Sequence, residues 1–121
     1  MGVKPVLIVD DEEGIRAMLK AALEMYDYRA YTAANGKEAI EILTHKESPG
    51  LILLDLMMPV MNGWALAEAL THNPHWVDIP VVVISAFPDR AGTFPTAKAT
   101  LFKPLDFDAL LVQVEKYCGK S

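Results

Sequence analysis

Four short apolar runs in this chain each lead into a residue that could do chemistry. Val6-Leu7-Ile8-Val9 precedes Asp10 and Asp11, Leu51-Ile52-Leu53-Leu54 precedes Asp55, Val81-Val82-Val83-Ile84 precedes Ser85, and Leu101-Phe102 precedes Lys103 and Pro104. Three carboxylates, a hydroxyl and an ammonium are together suited to one phosphoryl group. Carboxylates gathered within a few ångströms repel, and a raised pKa or a bound cation must relieve them. An all-oxygen donor set favours magnesium, which takes one or two carboxylates, keeps several waters and completes its shell with phosphate oxygens. A carboxylate beside that cation can attack phosphorus and form an aspartyl phosphate, while Lys103 and Ser85 stabilise the equatorial oxygens. Asp55 is the best-placed nucleophile. Taken singly, each residue has a plainer role: Asp10 to Glu13 can cap a helix, Asp55 can begin a turn, Ser85 can be a satisfied polar group and Lys103 a solvated rim charge. Their joint occurrence at successive run ends favours the phosphoryl site.

The elements that would position these residues are legible in the same runs. Val6 to Val9 reads as a strand buried on both faces, and Ile15, Met18, Leu19, Ala22 and Leu23 follow at the spacing of one helical stripe. Arg29 to Thr32 reads as a second strand; Asn35-Gly36 punctuates, and Ala39, Ile40 and Leu43 mark a second helix. Leu51 to Leu54 is a third strand, Trp64, Ala67 and Leu70 mark a third helix, Val81 to Ile84 is a fourth strand, and Leu101-Phe102 ends a fifth. Asp106 can cap a last helix with Phe107, Leu110, Leu111 and Val114 inward. Pro88, Gly92 and Pro95 leave room for one helical turn or less between the fourth and fifth strands, over Phe87 to Ala99. This alternation implies a doubly wound α/β domain with a parallel sheet, whose ligands bind beyond the carboxyl ends of the strands. The three carboxylates converge if strands one and three are neighbours, an order the succession of elements leaves open.

Composition bounds the function. With 121 residues, 52% of them hydrophobic and 22% charged, the chain is expected to form a single domain over residues 1–121. A net charge of -5 without a dense block of Lys or Arg disfavours direct nucleic-acid binding. No apolar stretch approaches the roughly 18 residues that span a bilayer, so membrane insertion is not expected. Nor do Val6 to Val9 make a signal-peptide core. The single cysteine, Cys118, excludes an internal disulfide, fits a reducing cytoplasm and reads as a bystander. His72 and His75 read as solvated loop residues, and Met57, Met58 and Met61 as packing around the Asp55 loop.

Asp10-Asp11, the run Asp55-Leu56-Met57-Met58-Pro59-Val60-Met61-Asn62-Gly63, Ser85-Ala86 and Lys103-Pro104 together resemble a response-regulator receiver domain over essentially the whole chain. The most specific piece is Asp-x-x-x-Pro-x-x-x-Gly from Asp55 to Gly63. The resemblance implies a flavodoxin-like five-stranded sheet of order 2-1-3-4-5, here with a shortened or irregular fourth helix. It implies that Asp55 accepts a phosphoryl group from a histidine kinase or phosphotransfer protein and that the domain then switches its binding of a downstream protein. Asp11, Asp55 and the Met57 carbonyl would ligate magnesium, Asp10 acting mainly through bound water, while Ser85 and Lys103 sense the phosphoryl group. The peptide between Lys103 and Pro104 is expected to be cis. No output domain follows Lys120-Ser121, which fits a stand-alone receiver or one excised from a longer protein.

Some residues depart from the family pattern. Thr100 stands where many receivers carry an aromatic residue that swings inward, so the switch is expected to run through reordering of Phe87 to Ala99. Met57 and Phe87 flank the expected path of the attacking water and can neither orient nor deprotonate it, which predicts a long-lived acyl phosphate. A magnesium-dependent phosphohydrolase is the competing enzyme reading, but Met57 occupies the place of its proton-transferring aspartate. The chain is therefore not expected to be a multiple-turnover enzyme. A pseudo-receiver that binds partners without phosphorylation is the third reading, and the intact Asp10, Asp11, Asp55, Ser85 and Lys103 set gives no reason to prefer it.

Overall fold

A computed structural model describes residues 3–55, 63–85, 97–102 and 105–120, and of residues 63, 64, 85 and 102 the backbone alone. The elements are β1 (Val6–Val9), α1 (Glu13–Met25), β2 (Ala30–Ala33), α2 (Gly36–His45), β3 (Leu51–Asp55), α3 (Gly63–Thr71), β4 (Val81–Ser85), β5 (Ala97–Phe102) and α4 (Phe107–Cys118). The five strands form one parallel sheet in the order β2-β1-β3-β4-β5. Strand order reverses between β1 and β3, which makes their carboxyl ends the crevice of the sheet.

Strand alternation divides the core. Leu7, Val9, Ile52, Leu54, Val81 and Val83 pack with Ala39 and Leu43 of α2 and Leu66 and Leu70 of α3. Val6, Ile8, Leu51, Leu53, Val82 and Ile84 pack with Leu19 and Leu23 of α1 and Leu110, Val114 and Cys118 of α4. Each face of the sheet is thus covered by a helix pair, and β1 and β3 are buried throughout, as the unbroken apolar runs require.

Capping explains where the later helices begin. The Asn35 side chain accepts the Glu38 N–H at 2.9 Å while Glu38 reaches back to accept the Ala34 N–H at 2.7 Å. Asp106 caps α4 as expected, accepting the Asp108 N–H at 2.9 Å. Several expectations shift by a residue or a face. β2 starts at Ala30 rather than Arg29 and ends at Ala33. β5 reaches back to Ala97, so Ala97 to Ala99 belong to a strand and not to the irregular connection. Met18 is 57% exposed, because the buried arc of α1 is centred between Leu19 and Leu23 and turns Met18 onto its shoulder. The expectations of a short fourth helix and of a switch by reordering fall on 87–99, of which 87–96 lie outside the described residues and the last three belong to β5.

Cys118, which reads as a bystander to the chemistry, is a residue of the core. Its thiol donates to the Pro5 carbonyl at 3.7 Å, and burial pushes its pKa up to about 11. The site is tight: a Cβ on Gly50 would lie 2.9 Å from Lys4 Cβ and 3.0 Å from both Cys118 Sγ and the Tyr117 carbonyl oxygen, so the close approach there requires glycine. A thiol so raised stays protonated in the folded state where an unfolded thiol ionises, so the protein should lose stability as pH climbs from about 9 towards 11. At pH near 9, iodoacetamide should label Cys118 in denaturant and leave the native protein unlabelled. Labelling of native protein at the rate of a free thiol would contradict this burial.

Candidate functional site

The parallel register of β1 and β3 builds the acidic pocket. Val9 lies opposite Leu54, so the next residues, Asp10 and Asp55, stand side by side at the carboxyl ends of two adjacent strands. Asp11 follows at once as the chain turns towards α1. Each of the three residues brings a carboxylate oxygen within 4.8 Å of the other two. Asp10 is fully buried, Asp55 is 4% exposed and Asp11 is exposed, so the pocket has two carboxylates below the surface and one at its rim.

The turn that carries the acidic pair is held by the main chain. The Asp10 N–H donates to the Ala33 carbonyl of β2 at 3.1 Å, and the Asp10 carboxylate accepts the Glu12 N–H at 2.9 Å. The plainer reading of Asp10 to Glu13 as a helix cap does not hold: Glu12 is the N-cap of α1 and no side chain caps that helix, so the Asp10 bond to Glu12 shapes the turn before it. A further contact was not legible in the sequence: the Arg16 guanidinium donates to the Asp10 main-chain carbonyl at 2.8 Å. Nothing in residue type or spacing distinguishes Arg16 from a solvated helix charge.

Electrostatics decides what the pocket can hold. Two ionised carboxylates at such separation repel by about 3 kcal/mol at an effective dielectric near 20, and three in partly buried positions raise that further. A small oxygen-seeking dication relieves the repulsion and matches an all-carboxylate donor set with one open side. Asp10, Asp11 and Asp55 therefore fit magnesium by their chemistry and by their convergence. Ser85 is placed as the last residue of β4, its backbone in register with Phe102. The Ser85 side chain, Met57, Lys103 and Pro104 lie outside the described residues. His72 and His75 are exposed in the turn after α3, where the His75 N–H donates to Asn73 Oδ1 at 2.8 Å. Among the described residues no helix is long and apolar enough to cross a membrane.

The family model of the response regulator receiver domain matches residues 6–115. The chain belongs to this family. Proteins that it resembles include the phosphate regulon transcriptional regulatory protein PhoB of Pseudomonas aeruginosa, 42% identical over 83 residues, which are 69% of this chain and 36% of that protein. This receiver domain spans about a third of the length of the curated relatives it matches. Among solved structures, the Vibrio cholerae chemotaxis protein CheY4 superposes with a TM-score of 0.85 at 28% identity, covering 96% of this chain and 99% of that one. The Thermotoga maritima response regulator TrrA, solved in complex with magnesium and BeF, superposes with a TM-score of 0.81 at 29% identity, covering 94% of this chain and 98% of that one. The sheet order 2-1-3-4-5 is that of the family's flavodoxin-like fold, and the domain is the receiver of a response regulator in two-component signalling.

Proposed function

We propose that this receiver takes a phosphoryl group onto Asp55 from a histidine kinase or phosphotransfer protein and thereby changes its affinity for a downstream protein. The observation that carries the proposal is the convergence of Asp10, Asp11 and Asp55 at the crevice between β1 and β3. Asp11 and Asp55 would ligate magnesium directly with the Met57 carbonyl, and Asp10 would act mainly through bound water. Magnesium, when bound, supplies positive charge to the carboxylates and to the incoming phosphoryl oxygens. An Asp55 carboxylate oxygen forms the new bond to phosphorus, and the bond from phosphorus to the donor nitrogen breaks with its electron pair left on the imidazole. Ser85, the last residue of β4, and Lys103, which follows the last residue of β5 in the sequence, would contact the transferred group and report its arrival.

Residues 1–121 act as one domain in this account. The domain works in the cytoplasm, inserts in no membrane and binds no nucleic acid itself, its net charge of -5 being of the wrong sign for phosphate neutralisation. It undergoes phosphorylation once per signalling cycle and does not turn over an external substrate. Met57 offers no polar group to the attacking water, so the acyl phosphate should persist, and Met57→Asn should hasten its decay severalfold. An unchanged decay rate in that variant would remove Met57 from the account.

The reading is tested with beryllofluoride, an acyl-phosphate mimic, followed by fluorine NMR. Wild-type protein with magnesium should give a bound fluorine signal that Asp55→Asn lacks. A wild type that shows no bound signal would instead favour a receiver fold that binds partners without phosphorylation.

A further inference from the structure

The acidic pocket depends on a turn that must hold Asp10 and Asp11 beside Asp55 of β3, three like charges, before any cation arrives. Three hydrogen bonds that involve the main chain organise that turn. Asp10 N–H is bonded to Ala33 of β2, the Asp10 carboxylate to the Glu12 N–H, and the Asp10 carbonyl to the Arg16 guanidinium at 2.8 Å. Arg16 is also joined to the turn through its own main chain, its N–H donating to the Glu12 carbonyl at 3.0 Å. The residue therefore clasps the turn at two points, one from the helix backbone and one from its side chain.

The carbonyl that Arg16 holds belongs to the peptide joining Asp10 to Asp11. Fixing that peptide plane fixes the direction of the Asp11 N–Cα bond and so narrows where its side chain can depart, and Asp11 is the exposed carboxylate of the pocket, with the least packing to hold it. The guanidinium bonds to a main-chain oxygen rather than to one of the carboxylates, so it orients the turn without occupying the oxygens that a cation would use. Its planar fork and permanent charge suit a directed bond to a carbonyl better than a flexible ammonium would.

We infer that Arg16 is a positioning residue for the metal pocket: through the Asp10 carbonyl it pre-orients Asp11 for the cation and so sets magnesium affinity. The inference rests on the reading of Asp10, Asp11 and Asp55 as a magnesium site. Charge and geometry make opposite predictions here. Removing a positive charge beside a cation site, by Coulomb's law alone, tightens cation binding. Loss of a group that orients a ligand loosens it, on the order of tenfold or more for partners of metal ligands.

Magnesium affinity is measured by calorimetry on wild type, Arg16→Gln and Arg16→Lys, with melting curves recorded beside each. Arg16→Gln should bind magnesium on the order of tenfold more weakly despite the lost positive charge. Arg16→Lys, which keeps the charge and loses the fork, should also bind more weakly, and it carries the test if the glutamine variant does not fold. Phosphorylation by acetyl phosphate at saturating magnesium should stay near the wild-type extent in both, while the magnesium concentration that it requires rises. Affinity equal to or tighter than wild type in a folded variant would overturn the inference, including where the melting temperature alone has dropped. A wild type that binds no magnesium would overturn the metal reading of the pocket and the inference with it.

Discussion

Asp10→Asn should make the metal-free protein more stable, by about 1–3 kcal/mol, and should cut the stabilisation that magnesium confers. Asp10 is fully buried, and its carboxylate lies within 4.8 Å of those of Asp11 and Asp55. Asparagine keeps an oxygen to accept the Glu12 N–H and removes one of the mutually repelling charges. The structure of the turn is therefore preserved while its electrostatic penalty falls. In the wild type, a ligand at a hundred times its dissociation constant stabilises the folded state by about 2.7 kcal/mol, and magnesium should give a rise of that order. Urea unfolding with and without magnesium measures both quantities. An Asp10→Asn protein that is less stable without metal, or that gains as much from magnesium as the wild type, would contradict the account of the pocket as a set of strained carboxylates awaiting a cation.

Leu53→Ala should be the most damaging of the simple core truncations, lowering unfolding free energy by about 3–5 kcal/mol. Leu53 is fully buried in the central strand β3, between β1 and β4, and belongs to the core cluster shared with α1 and α4. The loss is a large part of the roughly 5–15 kcal/mol that holds a domain of this size. Met18→Ala, on the exposed shoulder of α1, should change stability by no more than about 0.5 kcal/mol. A urea midpoint that moves far for Leu53→Ala and little for Met18→Ala, at constant slope, is the expected outcome. Comparable losses at both positions would mean that α1 packs on a different face.

These predictions draw on features that the sequence carried unequally. The runs at residues 6–9, 51–54 and 81–84 announced fully buried strands because both faces of a central parallel strand are covered, leaving no polar alternation to blur the pattern. The acidic end of the site was legible for the same reason: Asp10 and Asp55 interrupt apolar runs in which a carboxylate has no packing role. Which strands are neighbours was not legible from the runs, since a parallel crossover permits several orders and only the resemblance chose one. Met18 was misplaced because helical spacing defines an arc without fixing its centre, and the packing of Leu19 and Leu23 on the sheet decided that. The burial of Cys118 was not legible because it depends on a contact distant in sequence: the Lys4 N–H to Cys118 carbonyl bond of 3.1 Å ties the end of α4 beside the start of β1. Arg16 carried no signal, since a bond from a helix side chain to a main-chain carbonyl depends on the turn's geometry rather than on residue type.

In the proposed function Asp55 is the magnesium-dependent acceptor of a phosphoryl group. Intact mass after incubation with acetyl phosphate tests it most directly, comparing wild type with and without magnesium and Asp55→Asn with magnesium. The account predicts one phosphoryl adduct on the wild type, present only with magnesium and absent from the variant. An adduct that persists in Asp55→Asn, or that forms equally well without the metal, would contradict it.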